Sequence, residues 1–150
     1  MKLTPRLLKF LLLFYPPYIG AGVRITYISR DWRELHVSMK LGLYNRNIVG
    51  THFGGSLYSM IDPHLMLLLM QLLGKDYTVW DKGAEIEFIH PGKGTVTSTI
   101  TISDTELGEI RKNTADGQKH FPEFNLKIIA ADGTIVAKVK KTLYVRRKKS

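Results

Sequence analysis

The chain has 150 residues, the length of a single domain that can bury a substantial hydrophobic core, and we expect one domain over residues 1–150. It contains no cysteine, which excludes disulfides, thiolate nucleophiles and cysteine-ligated metal centres. Its formal net charge of +9 indicates anionic partners, such as phosphorylated small molecules, anionic lipid or nucleic acid. Part of that charge is the run from Arg146 to Lys149, which is either a solvated tail or a contact for nucleotide phosphates.

The N-terminal segment predicts an amphipathic helix that packs on the domain. Thr4 is a good N-cap and Pro5 a good first helical residue. The apolar run from Phe10 to Phe14 follows Lys9 and precedes two prolines without a small-residue cleavage pattern, which argues against a signal peptide. No stretch approaches the ~20 apolar residues of a spanning helix, so we expect no stable membrane insertion. A peripheral membrane contact by this segment stays open.

Two strands are expected next, followed by one long helix. The first strand covers residues 23–29, and the second is marked by strict alternation of apolar and polar residues over 34–41. From Gly55 to Leu73 the apolar residues recur at spacings of three and four, and the other faces are also largely apolar. A helix of this length spans about 28 Å. It must be buried, and Gly74 is a natural end.

The second half of the chain predicts further strands and a short helix. Ser103 and Glu106 have the spacing of a capping box, which opens the helix, and Asp132-Gly133 predicts a hairpin turn. Antiparallel strands around one segregated helix indicate an α+β fold. A single sheet leaves edges and a face uncovered, so we expect at least a dimer. The strands are predicted around Ile86 and Phe88 and over residues 96–102, 124–130 and 135–145.

The segment leading into the long helix holds the candidate catalytic residues. Gly54 and Gly55 let the backbone approach a ligand, and the free amides of a first helical turn can stabilise an oxyanion. Asp62 is the only charged residue between Gly55 and Leu73, and a lone carboxylate there is costly unless it is paired or used. The alternative is structural: the glycines form a tight loop, and Asp62-Pro63 marks a kink whose carboxylate caps the next turn.

The same segment resembles the hotdog thioesterases of the phenylacetate-pathway type. Their motif is an asparagine, a His-Gly-Gly six residues later and an aspartate on the helix, which Asn47, Gly54, Gly55 and Asp62 match in spacing. The resemblance implies that Asp62 is the general base or nucleophile, and that Asn47 and a glycine amide bind the water or the thioester oxygen. Phe53 stands where the family has its histidine, and His52 lies one residue early.

Nearly the whole chain is similar to a bacterial group of hotdog proteins described as domains of unknown function or as tetrameric acyl-CoA thioesterases. The resemblance implies a hotdog fold, in which an antiparallel sheet wraps a long central helix. The matching stretches are Tyr15–Gly20, Gly50–Tyr58, Asp62-Pro63, Tyr77–Lys82, Phe88–Gly94 and Lys141–Arg146.

Further side chains are expected to bind substrate. Lys82 begins a strand and can pair with Asp62 or Asp81, touch a substrate or be an ordinary exposed residue. His64 lies on a different helix face from Asp62 and is interpreted as a packing or interface histidine. No histidine pair has zinc spacing, so no metal is expected. The full predicted substrate-binding set is His52, Phe53, Ser56, Tyr58, Trp80 and Lys82.

These patterns and the resemblance together predict a cytoplasmic thioesterase that acts on acyl-CoA-type thioesters as a homodimer or homotetramer, without a cofactor. The alternative is a hotdog domain that binds an acyl ligand without cleaving it. A nucleic-acid binder is not expected, because no recognition motif with interleaved aromatic residues is present. A hotdog dehydratase is a further alternative, but it would need a histidine paired with the acidic residue, and only the acidic residue is convincing in this sequence.

Overall fold

The computed structural model describes residues 3–149 and contains an antiparallel sheet, helices that line it and a central apolar helix in two segments. The helices are α1 (Pro5–Leu13), α2 (Pro16–Ala21), α3 (Gly54–Ser59), α4 (His64–Leu73) and α5 (Asp104–Asn113). The strands are β1 (Val23–Ile28), β2 (Glu34–Lys40), β3 (Tyr77–Phe88), β4 (Thr95–Thr101), β5 (Lys119–His120), β6 (Glu123–Ala130) and β7 (Ile135–Arg147).

The local signals at the helix starts are confirmed. The Thr4 side chain accepts a hydrogen bond from the Leu7 amide (3.2 Å), and Pro5 is the first residue of α1. Both bonds of the capping box between Ser103 and Glu106 are present at the start of α5. Helix α1 packs on the domain as predicted, but less of it is buried than expected. Leu8 is its one buried residue among those described. The short helix α2, which begins at two prolines, was not predicted.

The strands form one sheet in the order β1-β2-β4-β6-β7-β3, with every pairing antiparallel. The two-residue strand β5 pairs with β7 and was not predicted. The predicted hairpin joins β6 to β7, and Gly133 adopts the positive φ of 87° that glycine favours. The long strand β3 therefore lies at one edge of the sheet, beside β7.

The predicted continuous helix is interrupted. Residues 60–63 separate α3 from α4, and the Asp62–Pro63 peptide bond is cis. Proline has no amide hydrogen and its ring clashes with the preceding helical turn, which explains the interruption. The alternative interpretation of Asp62-Pro63 as a kink with a capping carboxylate is confirmed only for the kink. Pro63 is the N-cap of α4, and no side chain forms a capping hydrogen bond there.

The core lies between the concave face of the sheet and the central helix. Met60, Ile61 and Leu65 are fully buried, and they belong to the same cluster as inward residues of β2, β4 and β7. The span Gly54–Leu73 has the length (20 residues) and mean hydropathy (1.2) of a membrane helix, but half of it is buried as the core helix. A sheet wrapped around one central helix is the hotdog fold, which confirms the predicted α+β class.

Candidate functional site

Asp62 and Lys141 form an ion pair at the interruption of the central helix. Lys141 lies on β7 with 1% of its side chain exposed, and its Nζ is 2.6 Å from Asp62 Oδ1. Tyr58, one turn earlier, accepts a hydrogen bond from Lys141 Nζ (2.9 Å) and donates one to Asp62 Oδ1 (3.3 Å). Within residues 3–149 no donor reaches Asp62 Oδ2, and 42% of this side chain is exposed. One carboxylate oxygen is thus anchored while the other is open to a ligand.

A second carboxylate completes this group, which we call the Lys141 cluster (Tyr58, Asp62, Asp81 and Lys141). Asp81 Oδ1 lies 3.0 Å from Lys141 Nζ. Of the options left open for Lys82, pairing with Asp62 or Asp81 is wrong. A bulge in β3 leaves Lys82 outside the pairing register, and its Nζ lies over the Phe121 ring, 4.9 Å from the centroid.

Lys141 is protonated despite its burial. Burial by itself lowers the pKa of a lysine, but the bonds to Asp62, Tyr58 and Asp81 outweigh it and raise the pKa of Lys141 above its ordinary value. A buried ammonium needs such partners, since an unpaired charge in the core costs several kcal/mol, on the order of 3 to 5. The cluster therefore ties β7 and β3 to the central helix.

The sequence contained a signal for Lys141 that the prediction did not use. In β7 the buried residues alternate, and Lys141 falls in the same phase as Val139, Leu143 and Val145. A lysine on the apolar face of a strand is rarely buried unless it is paired. Together with the lone Asp62 in an apolar helix, this position indicates an ion pair.

Asn47 organises the loop before the central helix. Its Oδ1 accepts from the amides of Val49 (3.2 Å) and Thr51 (2.9 Å). Its Nδ2 donates to Thr51 Oγ1 (2.8 Å) and to the carbonyl oxygen of His52 (3.4 Å). Both polar ends of this predicted catalytic side chain therefore have partners within the loop.

His52 joins this loop to the turn before β4. The residue is 3% exposed, and its Nε2 lies 2.9 Å from the Gly94 carbonyl oxygen, which makes Nε2 the donor. The His52 amide also donates to the Gly92 carbonyl oxygen (2.9 Å). Burial lowers the pKa of His52, and a Cβ at Gly92 would lie 3.1 Å from its ring. This histidine is thus neutral and holds two loops together.

Gly54 and Gly55 lie at the start of α3 between two aromatic rings. A Cβ on Gly54 would lie 3.0 Å from Phe88, and one on Gly55 would lie 2.6 Å from Phe53. Leu57 is the first residue whose amide donates within this helix, to the Phe53 carbonyl oxygen (3.0 Å), so the earlier amides have no intrahelical partner. A side chain at either position would therefore require the neighbouring ring to move.

A cleft of about 590 Å³ opens beside these glycines. Asn47, His52 and Gly54 line one wall, and residues 88–93 line the other. Its volume lies in the range of small-molecule sites. The structure thus brings three predicted site residues to one cleft.

The structure does not bring Asp62 to these glycines within one chain. Asp62 is eight positions beyond Gly54, past the end of α3 in the non-helical residues 60–63, and it does not line the cleft that Gly54 lines. A base and an oxyanion donor must each lie about 3 Å from the reacting atoms. One copy of the chain therefore holds two separate halves of the predicted site.

The other predicted substrate-binding residues have different surroundings. Ser56 is buried on α3, and Phe53 is half exposed against Gly55. Trp80 is exposed on edge strand β3 and stacks on Tyr144 with ring centroids 5.5 Å apart. Of the predicted binding residues, Tyr58 alone contacts Asp62 within the described chain.

His64 is a packing histidine, as predicted. It is fully buried, and its Nε2 lies 2.7 Å from the Tyr18 hydroxyl of α2. Burial lowers the pKa of His64 to about 4 and raises that of Tyr18. Separately, residues 3–149 contain no group of three histidine, aspartate or glutamate residues that can hold a metal ion.

The comparisons agree on the fold. The family model of a domain of unknown function (DUF4442) matches residues 4–145, and no curated protein matches the chain. A Pseudomonas aeruginosa protein of unknown function, described as a probable thioesterase, is similar with a TM-score of 0.82 and 17% identity over 98% of both chains. A Haemophilus influenzae thioesterase has a TM-score of 0.71 and 14% identity over 100% of this chain and 95% of its own. The PaaI protein of the Escherichia coli phenylacetic acid degradation operon has a TM-score of 0.62 and 15% identity over 94% and 90%.

Proposed function

The chain belongs to the DUF4442 family, and we propose that it hydrolyses acyl-CoA-type thioesters with Asp62 as general base or nucleophile. The proposal is supported by the hotdog fold that the chain shares with solved thioesterases. Activity resides in the site rather than in the fold, so the arrangement of Asp62 carries the argument.

The observation that carries this function is the half-anchored carboxylate of Asp62. Lys141 and Tyr58 hold Oδ1, while Oδ2 has no donor within residues 3–149 and the side chain is half exposed. A base needs a fixed position and one free oxygen within reach of a water molecule. In this mechanism Oδ2 takes a proton from water, the hydroxide oxygen attacks the thioester carbonyl carbon, the carbon–sulfur bond breaks, and the thiolate leaves and takes up a proton.

We propose that the Gly54 and Gly55 amides hold the oxyanion formed in this step. Because Asp62 does not line the cleft beside these amides, it is not placed to act on the same carbonyl as the glycines of its own chain. A complete site therefore needs the glycines of one copy and the aspartate of another. This supports a homodimer or homotetramer as the active form.

The remaining parts of the proposal concern substrate and location. The net charge of +9 suits the phosphates of coenzyme A, and the basic run from Arg146 is a candidate contact. The cleft beside Gly54 is large enough for an acyl group, with Phe88 on its wall. Trp80 and Lys82, exposed on edge strand β3, are candidate substrate contacts from a second copy. We place the protein in the cytoplasm, without a cofactor.

The test is a hydrolysis screen of acyl-CoA thioesters, from acetyl to palmitoyl and including phenylacetyl. Asp62→Asn is the informative variant, because its amide oxygen still accepts from Lys141 and Tyr58. Loss of a base is expected to lower kcat about 100-fold or more. Glu109→Gln, an exposed residue of α5, is the matched control and keeps full activity. An Asp62→Asn protein with wild-type turnover would refute the proposal.

A non-catalytic acyl-binding domain is the second candidate. It is favoured by Asn47 and His52, whose side chains are both committed to loop contacts. It is also favoured by the ion pair of Asp62, since such pairs are common structural features. Acyl-CoA that binds tightly and is recovered uncleaved would select this function.

A further inference from the structure

The outward face of α1 is apolar where a surface helix is ordinarily polar. Leu8 and Leu12 face the domain, whereas the spacing of Arg6, Phe10 and Leu13 places them together on the opposite face. Several large apolar side chains of α1 and α2 stay half exposed or more. This N-terminal patch comprises Phe10 (59%), Leu11 (51%), Leu13 (52%), Phe14 (60%) and Ile19 (61%).

The N-terminal patch lies in a segment that carries only positive charge. No aspartate or glutamate occurs in residues 1–30, and Asp31 is the first acid of the chain. Arg6, Lys9, Arg24 and Arg30 are all exposed. A short helix with exposed phenylalanine and leucine flanked by basic residues is the pattern of segments that lie in the headgroup region of a membrane.

A groove between α1 and β1 places some of these cations together. It has a volume of about 1140 Å³ and is lined in part by Arg6, Lys9 and Arg30. Two carboxylates also line it, but Asp31 accepts from the Arg33 amide and Glu34 pairs with His36. Lys9 Nζ donates to the Thr26 carbonyl oxygen (2.6 Å), but within residues 3–149 none of these three cations forms a salt bridge, so their charge remains available to an anionic group next to the apolar face.

A second copy of this chain is a poor occupant of the N-terminal patch. A two-fold contact would place the patch against itself and bring the cations of both copies together. An anionic bilayer offers apolar depth and negative charge at once, and each basic residue near its surface contributes about 1 kcal/mol, or roughly fivefold in affinity.

We propose that the N-terminal patch docks this protein reversibly on an anionic lipid surface. Phe10, Phe14 and Ile19 enter the headgroup region, while Arg6, Lys9 and Arg30 meet lipid phosphates. The central helix stays in the core, so the contact is peripheral and spans nothing. This docking does not depend on the proposed hydrolysis.

The experiment is co-sedimentation of the full chain with vesicles of phosphatidylcholine alone or mixed with phosphatidylglycerol. Wild-type protein is expected to bind the mixed vesicles at least tenfold more tightly than the neutral ones, and less tightly as salt is added. A Phe10→Gln/Phe14→Gln protein is expected to lose at least tenfold in affinity. The control, Leu43→Gln/Tyr44→Gln, changes two even more exposed apolar residues elsewhere (84% and 92%) and keeps wild-type binding.

Each outcome decides the proposal. Both variants alter exposed side chains, so their unfolding midpoints should match the wild type, which removes misfolding as a cause. The proposal is overturned if wild-type protein stays in the supernatant with both vesicles, or if the Leu43→Gln/Tyr44→Gln control loses binding equally. It is also overturned if Phe10→Gln/Phe14→Gln lowers the mass of the assembly in solution, because a second copy would then cover the patch.

Discussion

Removing both carboxylates of the Lys141 cluster should cost more stability than the two single removals added together. In Asp62→Ala, Lys141 keeps Asp81 at 3.0 Å and Tyr58 at 2.9 Å, so the variant loses two hydrogen bonds to the carboxylate, from Lys141 and from the Tyr58 hydroxyl. Because Asp62 is 42% exposed, we expect a loss of only about 1 to 2 kcal/mol. Asp81→Ala leaves the bond to Asp62 and should cost about 1 kcal/mol.

The double variant leaves a buried ammonium with a single neutral partner. Such a charge costs about 3 to 5 kcal/mol, so the coupling between the two substitutions should be roughly 1 to 2 kcal/mol. Adding Lys141→Met to the double variant removes the unpaired charge and should restore most of the loss, because an apolar side chain fits that buried position. Lys82→Met, an exposed lysine of the same region, is the control and should change stability by less than about 1 kcal/mol, since it loses only the contact with the Phe121 ring.

Urea unfolding at neutral pH, with linear extrapolation, measures each free energy. Additive effects of Asp62→Ala and Asp81→Ala would refute the hypothesis that both carboxylates stabilise the same buried ammonium of Lys141. So would a Lys141→Met triple variant that is no more stable than the double variant.

Three further outcomes are expected. Burial holds the pKa of His64 near 4, below about 6.5 in the unfolded chain, so its contribution to stability is complete above about pH 6.5 and is lost as the pH falls toward 4. Urea unfolding between about pH 7 and about pH 5 should therefore show a steeper loss for wild type than for His64→Gln, by up to about 1 kcal/mol per pH unit, and equal slopes would contradict this. Asn47→Ala removes four hydrogen bonds of its loop and should lower the unfolding free energy by about 1 to 3 kcal/mol, whereas a loss below about 0.5 kcal/mol would mean that the loop holds without them. Gly55→Ala needs only the exposed Phe53 ring to move, so calorimetry should show a cost below about 1 kcal/mol that Phe53→Ala relieves, and a cost that persists in the double variant would rule out this contact.

Much of the fold was predictable because its signals are local. The alternation in β2 placed Leu35, Val37 and Met39 in the core, and all three are buried. The capping box of α5 and the Asp132-Gly133 turn involve residues within three positions of one another, where backbone preference acts without help from the rest of the chain. The interruption at Pro63 was only an alternative, since a strong apolar period extends across it.

The candidate site was predicted only in part: Asp62 and Tyr58 were among the predicted residues, and Lys141 was not. Asp62 stood out as the lone charge of an apolar helix, and the glycines stood out by their spacing. Lys82 was one option for the partner of Asp62, but the bulge in β3 turns that lysine toward Phe121. A bulge adds one residue to a strand, so the side chains after it point to the opposite face of the sheet. The alternation of apolar and polar residues in the sequence does not reveal where a bulge occurs.

The sequence by itself determined most of the helices and strands, though not α2, β5 or the interruption of the central helix. It also determined which faces are apolar and where the glycines and the lone carboxylate lie, because periodicity and turn preference are properties of near neighbours. The tertiary structure alone decided that Lys141 meets Asp62, 79 residues away, and that Asn47 and His52 serve the loops rather than the carboxylate. It also decided that α1 keeps a second apolar face, with Phe10 and Leu13, exposed on the side away from the core. These results depend on how the sheet curves around the central helix. That curvature results from many weak contacts between residues far apart in the sequence, which no short stretch of sequence contains.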